Sequence, residues 1–179
     1  IIPLMKKPKY LLECLLSILR ETQNCSFSIE IVVVQDGDDP MLKEVVTSIN
    51  GIVYVQNLDL PGFSHTCNVG AAAAKGDILV FLNDDAQLAS SQFFDNLLSS
   101  FSDPQIGIVG PKILYPNGVL QEAGAVINHD GTTTLIGHGD NEALPMYSFN
   151  REVDYCSGVC IAISHSLFNE VSGFDEIYS

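Results

Sequence analysis

Apolar and polar positions alternate along the chain in blocks of two kinds. Leu11, Leu12, Leu15, Ile18 and Leu19 recur at helical spacing and predict a helix over 10–22. The run 29–35 is β-branched and almost wholly apolar, which predicts a strand covered on both faces, as parallel strands are. Pro40 suits the first turn of a helix reaching about residue 49. A short strand follows over 53–55, then an alanine-rich helix over 68–75 with Gly76 as its stop, then a second buried strand over 78–82. Ser90 or Ser91 is placed to cap a helix with Phe93, Phe94, Leu97, Leu98 and Phe101 on one face. Beyond it, 106–111 reads as strand, 113–139 as hairpins and loops rich in Gly, Asn and Thr, 156–163 as strand and 166–171 as a short helix.

Strand and helix alternate through the first 110 residues, which predicts an α/β fold with a mostly parallel central sheet and helices on both faces. Ligands of such sheets bind outside the carboxyl ends of the strands. The chemistry is therefore to be sought just after Gln35 and just after Leu82.

Composition narrows the partners. The 179 residues suffice for one domain, and 46% apolar with 17% charged residues is a globular balance. With 22 acids against 8 bases the net charge is −14, which speaks against nucleic acid and against an anionic membrane surface. Any phosphate-bearing substrate then needs a cation or a helix N-terminus to offset repulsion. The five cysteines are odd in number and none is spaced C-x-x-C, so neither a disulfide framework nor a zinc ribbon is expected, and reduced thiols in a cytoplasmic setting fit. The Asn24-Cys25-Ser26 triplet matches a glycosylation pattern that has no meaning in that compartment. The longest apolar run, Ile78–Leu82, falls far short of the about 20 residues that span a bilayer. The chain starts at Ile1 with Ile1-Ile2-Pro3 reading as the end of a strand, so a piece of a longer protein, truncated at both ends, is expected.

Two acidic runs sit at the expected strand exits: Asp36-Gly37-Asp38-Asp39 and Asn83-Asp84-Asp85. One such run is ordinarily a solvated turn. Two at one sheet edge repel each other, and a bound divalent cation relieves that. Carboxylate oxygens suit Mg²⁺ or Mn²⁺, which also bind diphosphates. Other phosphate signatures are missing: no G-x-G-x-x-G follows a strand, and Gly70 to Gly76 lacks the Gly-Lys-Ser/Thr of a P-loop. His129 and His138 read as solvated loop residues, whereas His65 stands out between Gly62 and Asn68. Cys156 and Cys160 read as core.

Several longer segments carry a resemblance. Gly62-Phe-Ser-His-Thr-Cys-Asn68-Val-Gly70, Ala74-Lys-Gly-Asp77 and Ile78-Leu-Val-Phe-Leu-Asn-Asp-Asp85 resemble glycosyltransferase family 2, closest to its rhamnosyltransferase-like branch. So do Gly110-Pro-Lys-Ile-Leu-Tyr-Pro-Asn-Gly118, Gln121-Glu-Ala-Gly124, and Ser157-Gly158 leading to Gly173-Phe-Asp-Glu176. The resemblance implies a Rossmann-like GT-A fold, a nucleotide-sugar-binding half over 1–110 and the start of an acceptor-side half over 111–179. It implies an inverting transferase that moves a sugar from a UDP-, dTDP- or GDP-linked donor to a glycan or lipid-linked acceptor. Polysaccharide or cell-surface glycan synthesis is the expected setting, in the cytoplasm or at the inner face of the membrane.

Site roles follow from the same resemblance. Pro3 is expected where the first strand's loop meets the nucleotide, with Asp36 at the base, Asp38 among the residues that bind the nucleotide sugar and Asn68 lining the donor site. Asp85 is expected to hold the metal on the diphosphate, with Asp84 supporting it and reaching the donor sugar; these two are the catalytic pair. Ser157, Gly158, Asp175 and Glu176 fall on the acceptor side. The sequence departs from the family at Asp38, where Ser is usual, and at Cys67, where many relatives carry Arg. The family's general base lies some ten residues past the Gly-Phe-Asp-Glu segment and so is expected beyond Ser179. Two readings compete. One is a module that keeps the fold without turnover. The other is a sugar nucleotidyltransferase, which would need a glycine-rich basic loop where 3–8 offers only Lys6 and Lys7.

Overall fold

The computed structural model describes residues 1–5, 8–23, 25 and 27–178. Lys6, Lys7, Asn24, Ser26 and Ser179 lie outside the described residues, and with them the lysine pair and the glycosylation triplet. In chain order the first half runs β1 (Ile2–Leu4), α1 (Pro8–Thr22), β2 (Ile31–Asp36), α2 (Pro40–Thr47), β3 (Ile52–Asn57), α3 (Phe63–Ala73), β4 (Ile78–Leu82) and α4 (Phe93–Ser100). The second half runs β5 (Ile108–Val109), β6 (Ile113–Leu114), β7 (Leu120–Glu122), β8 (Ala125–Ile127), β9 (Thr133–Leu135), β10 (Cys160–Ser164) and α5 (His165–Glu170). Short 3₁₀ turns lie at Pro145–Tyr147 and Glu176–Tyr178.

Strands β1, β2 and β3 pair in parallel, with β1 at one edge. Strands β4, β10 and β5 form a second sheet in which β10 runs antiparallel to both neighbours. Ile1 joins the two: its nitrogen donates to the Val80 carbonyl at 2.8 Å, and its carbonyl accepts from Leu82 N–H at 3.0 Å. That is a parallel bridge, so the spatial order becomes β3-β2-β1-β4-β10-β5, with only β10 reversed. The α/β expectation holds, and the reversed β10 qualifies the parallel one.

Side-chain alternation along these strands feeds one core on each face. Ile2, Leu4, Val33, Leu82 and Cys160 pack with Leu11, Cys14, Leu15 and Ile18 of α1 and with Leu42 and Val46 of α2. On the other face Leu79, Phe81 and Ile163 pack with Cys67 and Ala71 of α3 and Phe168 of α5. Gly70 allows α3 to lie close: a Cβ there would meet Val34 Cγ2 at 2.8 Å. No helix among the described residues is long and apolar enough to cross a membrane.

The structure departs from the sequence reading at several boundaries. Leu12 and Leu19 of α1 are about half exposed, so its buried stripe is narrower than the leucine pattern suggests. Helix α3 starts five residues early, because Gly62 at φ +131° turns the chain into it from a loop with no helical periodicity. Neither Ser90 nor Ser91 caps α4; Gln92 enters it in a left-handed conformation with no side-chain cap. Phe93 and Phe94 only lean on the first core, and Leu97 alone is fully buried in that helix. Strand β10 begins at Cys160, leaving 156–159 as an irregular segment. The 113–139 stretch forms the expected antiparallel hairpins, β6 with β7 and β8 with β9.

Candidate functional site

The β2 exit is built from the inside outward. Gln35 is fully buried, and its amide donates to the carbonyls of Gly37 (3.2 Å) and Asp39 (3.1 Å), with Tyr54 Oη–H donating to Oε1 at 3.0 Å. Gly37, at φ +86°, provides the left-handed turn this requires. The three acids of the run then take different roles. Asp39 caps α2 through the N–H groups of Met41 and Leu42. Asp38 is exposed and accepts from Gln56 Nε2 at 2.9 Å. Asp36 is half-buried; Asn57 Nδ2 donates to its Oδ1 and Gly62 N–H to its Oδ2, both at 3.1 Å. A carboxylate has about four lone-pair sites, so Asp36 retains acceptor capacity beside the opening of α3.

At the β4 exit, Asn83 N–H donates to the Val159 carbonyl at 2.9 Å and Ala86 N–H closes the turn on Asn83. Asp84 is half-buried and accepts from Met5 N–H at 3.3 Å, while Asp85 is exposed. Beneath the turn, burial and then the charge of Asp84 push the Cys14 thiol up to about 12.

Pro3 needs correction. It lies within β1, buried and opposite Val34, not in the loop after the strand. Backbone groups alternate sides along a strand, and those of Ile1 face β4. The Pro3 nitrogen, with no proton, therefore also faces β4, and the ladder between β1 and β4 stops there. Met5, the next residue facing that side, gives its N–H to Asp84 instead. The loop position belongs to Met5, and Pro3 acts by parting the two strand ends.

Asp84 and Asp85 suit a hard cation in donor type. No cluster of three or more His, Cys, Asp or Glu that could hold a metal occurs among the described residues. Mg²⁺ and its like commonly bind through one or two carboxylates and complete their shell with water and substrate phosphate, so the pair fits that mode.

On the acceptor side, Ser157 Oγ accepts from Val159 N–H at 3.3 Å, and Gly158 lies against Phe63, whose ring would be 3.5 Å from a Cβ there. Both residues thus sit where the Asn83 turn and the start of α3 meet. Asn68 is bound to the turn at 173–176: its amide donates to the Phe174 carbonyl (2.9 Å) and to Glu176 Oε1 (2.8 Å), and its Oδ1 accepts from Phe174 N–H at 2.9 Å. It ties α3 to the 173–176 turn. His65 Nδ1 joins it, 2.9 Å from the same Glu176 oxygen. Hydrogen bonds from Asn68 and then His65 hold the Glu176 carboxyl below its ordinary range. Asp175 Oδ1 accepts from Ile177 N–H at 3.0 Å. Asn68 and residues 171–176 line an open cleft of about 450 Å³.

The structure thus gathers Asp84, Asp85, Ser157 and Gly158 around one bond, and Asn68, Asp175 and Glu176 around another. Sequence reading missed the buried Gln35 and the pairing of His65 with Glu176. The latter joins residues 111 positions apart, for which the local pattern has no signal.

Comparison with known proteins bears on the family and the fold. The family model described as glycosyl transferase family 2 matches residues 1–172. The O-antigen biosynthesis protein RfbC of Myxococcus xanthus is 29% identical over 122 residues, covering 61% of this chain and 9% of that protein. The O-antigen chain rhamnosyltransferase RfbN of Salmonella typhimurium is 27% identical over 152 residues, covering 82% of this chain and 46% of that protein. The chain thus spans less than half the length of either relative. Among solved structures, a mannosyltransferase from Pyrobaculum calidifontis in complex with GDP-Man and Mn²⁺ superposes with a TM-score of 0.64 at 18% identity, over 97% of this chain and 46% of that one. That likeness shows the shared GT-A fold.

Proposed function

Since the chain belongs to glycosyl transferase family 2, we propose that it is the donor-binding part of an inverting glycosyltransferase that acts on a nucleoside-diphosphate sugar during surface-polysaccharide synthesis. The observation that carries this reading is the joint placement of Asp36 and the Asp84-Asp85 pair at the carboxyl ends of β2 and β4, on the two sides of β1. The O-antigen names of two relatives support a glycan product, and the GDP-Man and Mn²⁺ of the fold neighbour support the donor class and the cation.

In this reading Asp36 accepts a hydrogen bond from an N–H of the base, with Asp38 at the rim of that pocket. Asp85, helped by Asp84, would hold Mg²⁺ or Mn²⁺. The cation supplies charge neutralisation for the diphosphate that departs. With a net charge of −14 the chain has little else to offer it. Asp84, tethered by Met5, stays close enough to the diphosphate to meet the donor sugar. Ser157 and Gly158 present a small, low wall beside that sugar, and Asp175 and Glu176 flank the acceptor. Inversion requires a carboxylate to take the acceptor's proton as the anomeric carbon is attacked from the opposite face. The resemblance to the family assigns that base to a carboxylate past the Gly173-Phe-Asp-Glu176 segment, beyond Ser179, while Asp175 and Glu176 each have one oxygen engaged in holding their own turn.

The test is a turnover assay of the full-length protein with UDP-, dTDP- and GDP-linked sugars, Mn²⁺ and a glycan acceptor panel. Nucleoside diphosphate release together with a product of inverted anomeric configuration by NMR supports the reading. Tight donor binding with no release under any pairing would favour the non-catalytic module. A retained configuration would contradict the single displacement.

A further inference from the structure

We propose that His65 is a positioning residue, which through Nδ1 fixes the carboxylate of Glu176, and with it the turn at 173–178, against the first turns of α3. The inference rests on the reading above only in taking that turn as the flank of the acceptor site.

The turn is anchored very unevenly. Phe174 is well held: its ring lies 5.0 Å from Phe81, 5.5 Å from Phe168 and 6.0 Å from Phe63, centroid to centroid, and Asn68 grips both its N–H and its carbonyl. After it the packing stops, for residues 175–178 are all exposed, Ile177 at 84% and Tyr178 at 83%. The chain also reaches Phe174 through two successive left-handed residues, Ser172 at φ +66° and Gly173 at φ +76°, and such conformations persist only when neighbouring contacts impose them. Beyond Phe174 the contact that returns the chain to α3 is the Glu176 carboxylate.

That carboxylate is met by two side chains from one face of α3. Residues 65 and 68 are three apart and so lie one above the other on a helix. Asn68 serves Glu176 with only one of its contacts, the others going to Phe174. His65 is not divided in this way. Both of its ring nitrogens are buried, and neither meets the geometry of a full hydrogen bond among the described residues; Nδ1 stands 2.9 Å from Glu176 Oε1, so its polar contact is the ion pair with Glu176. Both side chains meet Oε1, Asn68 by a hydrogen bond and His65 as an ion pair, which leaves Oε2 as the atom Glu176 has to offer an incoming hydroxyl at the cleft. The ionisable groups on the elements packed on α3 include Asp36 on β2, Tyr54 on β3, His165 and Glu170 on α5, and Asp175, Glu176 and Tyr178 at the turn. His165 is engaged elsewhere, its Nδ1 3.0 Å from the Gly76 carbonyl, so the base that meets Glu176 is His65 of α3.

The experiment is hydrogen exchange, read by mass spectrometry on the full-length protein, with His65→Phe and His65→Asn. Phe keeps the ring and removes the donor; the Asn amide nitrogen falls near the place of Nδ1. The expected result is exchange about tenfold faster in a peptide covering 174–178 for His65→Phe, as for loss of one close polar contact to a charged group. Exchange in β4 should be unchanged, and His65→Asn should return the peptide close to the native rate. If His65→Phe does not fold, Glu176→Gln, an exposed change, should give the same local acceleration. Native exchange in all variants overturns the proposal, as does equal acceleration by Phe and Asn, which would make the ring a packing element. These readouts need no nucleotide, so their failure would leave the transfer reading standing. Conversely, failure to bind nucleotide would leave the role of His65 intact.

Discussion

The N–H of Asn83 donates to the carbonyl of Val159 at 2.9 Å, and this bond brings the two halves of the candidate site together. Asn83 opens the turn that carries Asp84 and Asp85; Val159 closes the irregular segment that carries Ser157 and Gly158. The bond continues the antiparallel pairing of β4 with β10, whose register sets Cys160 opposite Leu82. A reversed strand beside β4 is thus what brings Asn83 and Val159, 76 positions apart in sequence, and the site residues next to them together in the proposed site.

Asp36→Asn tests the base pocket and the local structure together. One carboxylate oxygen becomes an NH₂ facing Asn57 Nδ2 or Gly62 N–H, both of which are donors. Nucleotide affinity is expected to fall by about 1–3 kcal/mol, the usual cost of losing a charged acceptor. Calorimetry measures it, with a melting curve alongside to register the loosened start of α3. An affinity no different from that of a distant surface variant removes Asp36 from the base pocket.

Gly173→Ala tests the dock of the 173–176 turn on α3. At φ +76° a Cβ would stand 2.6 Å from Asn68 Oδ1, so the amide would have to leave Phe174 N–H. Destabilisation of about 1–3 kcal/mol in urea unfolding is expected, combining left-handed strain with the displaced amide. A neutral result would show that the Asn68 contacts carry little.

Glu176 gives a pH dependence of defined sign. Its carboxyl sits below the ordinary glutamate range because Asn68 and then His65 bond the ionised form. The hold on the turn is therefore complete above the ordinary glutamate value, and it is lost as pH falls through the depressed one. Proteolysis at Ile177 and Tyr178 should rise across that window in the native protein, and Glu176→Gln should abolish the rise. The same pH dependence in both proteins would place the sensitivity elsewhere.

The thiols are expected to be inert. Burial pushes Cys14, Cys67 and Cys160 up to about 12, so at pH 8 only about one in 10⁴ is thiolate. Iodoacetamide with mass mapping should label half-buried Cys25 first and these three only at the rate of unfolding. Rapid native labelling of Cys67 would show that α3 opens from the sheet.

Much of this was legible in the sequence because its causes are local. Strand β4 appears residue for residue in its apolar run, and Asp36 and Asp84-Asp85 fall at strand exits because β-branched runs end there. The family segments supplied the rest of the candidate site. What local pattern could not show was set by distant contacts. Ile1-Ile2-Pro3 reads as a strand end, but that the Pro3 nitrogen ends the β1–β4 ladder is seen only once β4 lies on the side it faces. The bond of Asn68 to the 173–176 turn joins residues more than 100 positions apart, for which local pattern has no signal. The reversal of β10 is invisible in 160–164, whose apolar run would serve either direction.

The central claim is that Asp85 holds a divalent cation on the diphosphate of a nucleotide donor. Calorimetry of GDP, UDP and dTDP with and without Mn²⁺, on the native protein and on Asp85→Ala, tests it most directly. Asp85 is exposed at the turn, so the substitution should leave the melting temperature unchanged. The account predicts that one of the three nucleotides binds the native protein in Mn²⁺ and only weakly without it, and that Asp85→Ala binds it equally weakly in both. Mn²⁺-dependent binding of undiminished strength in a folded Asp85→Ala protein would contradict it.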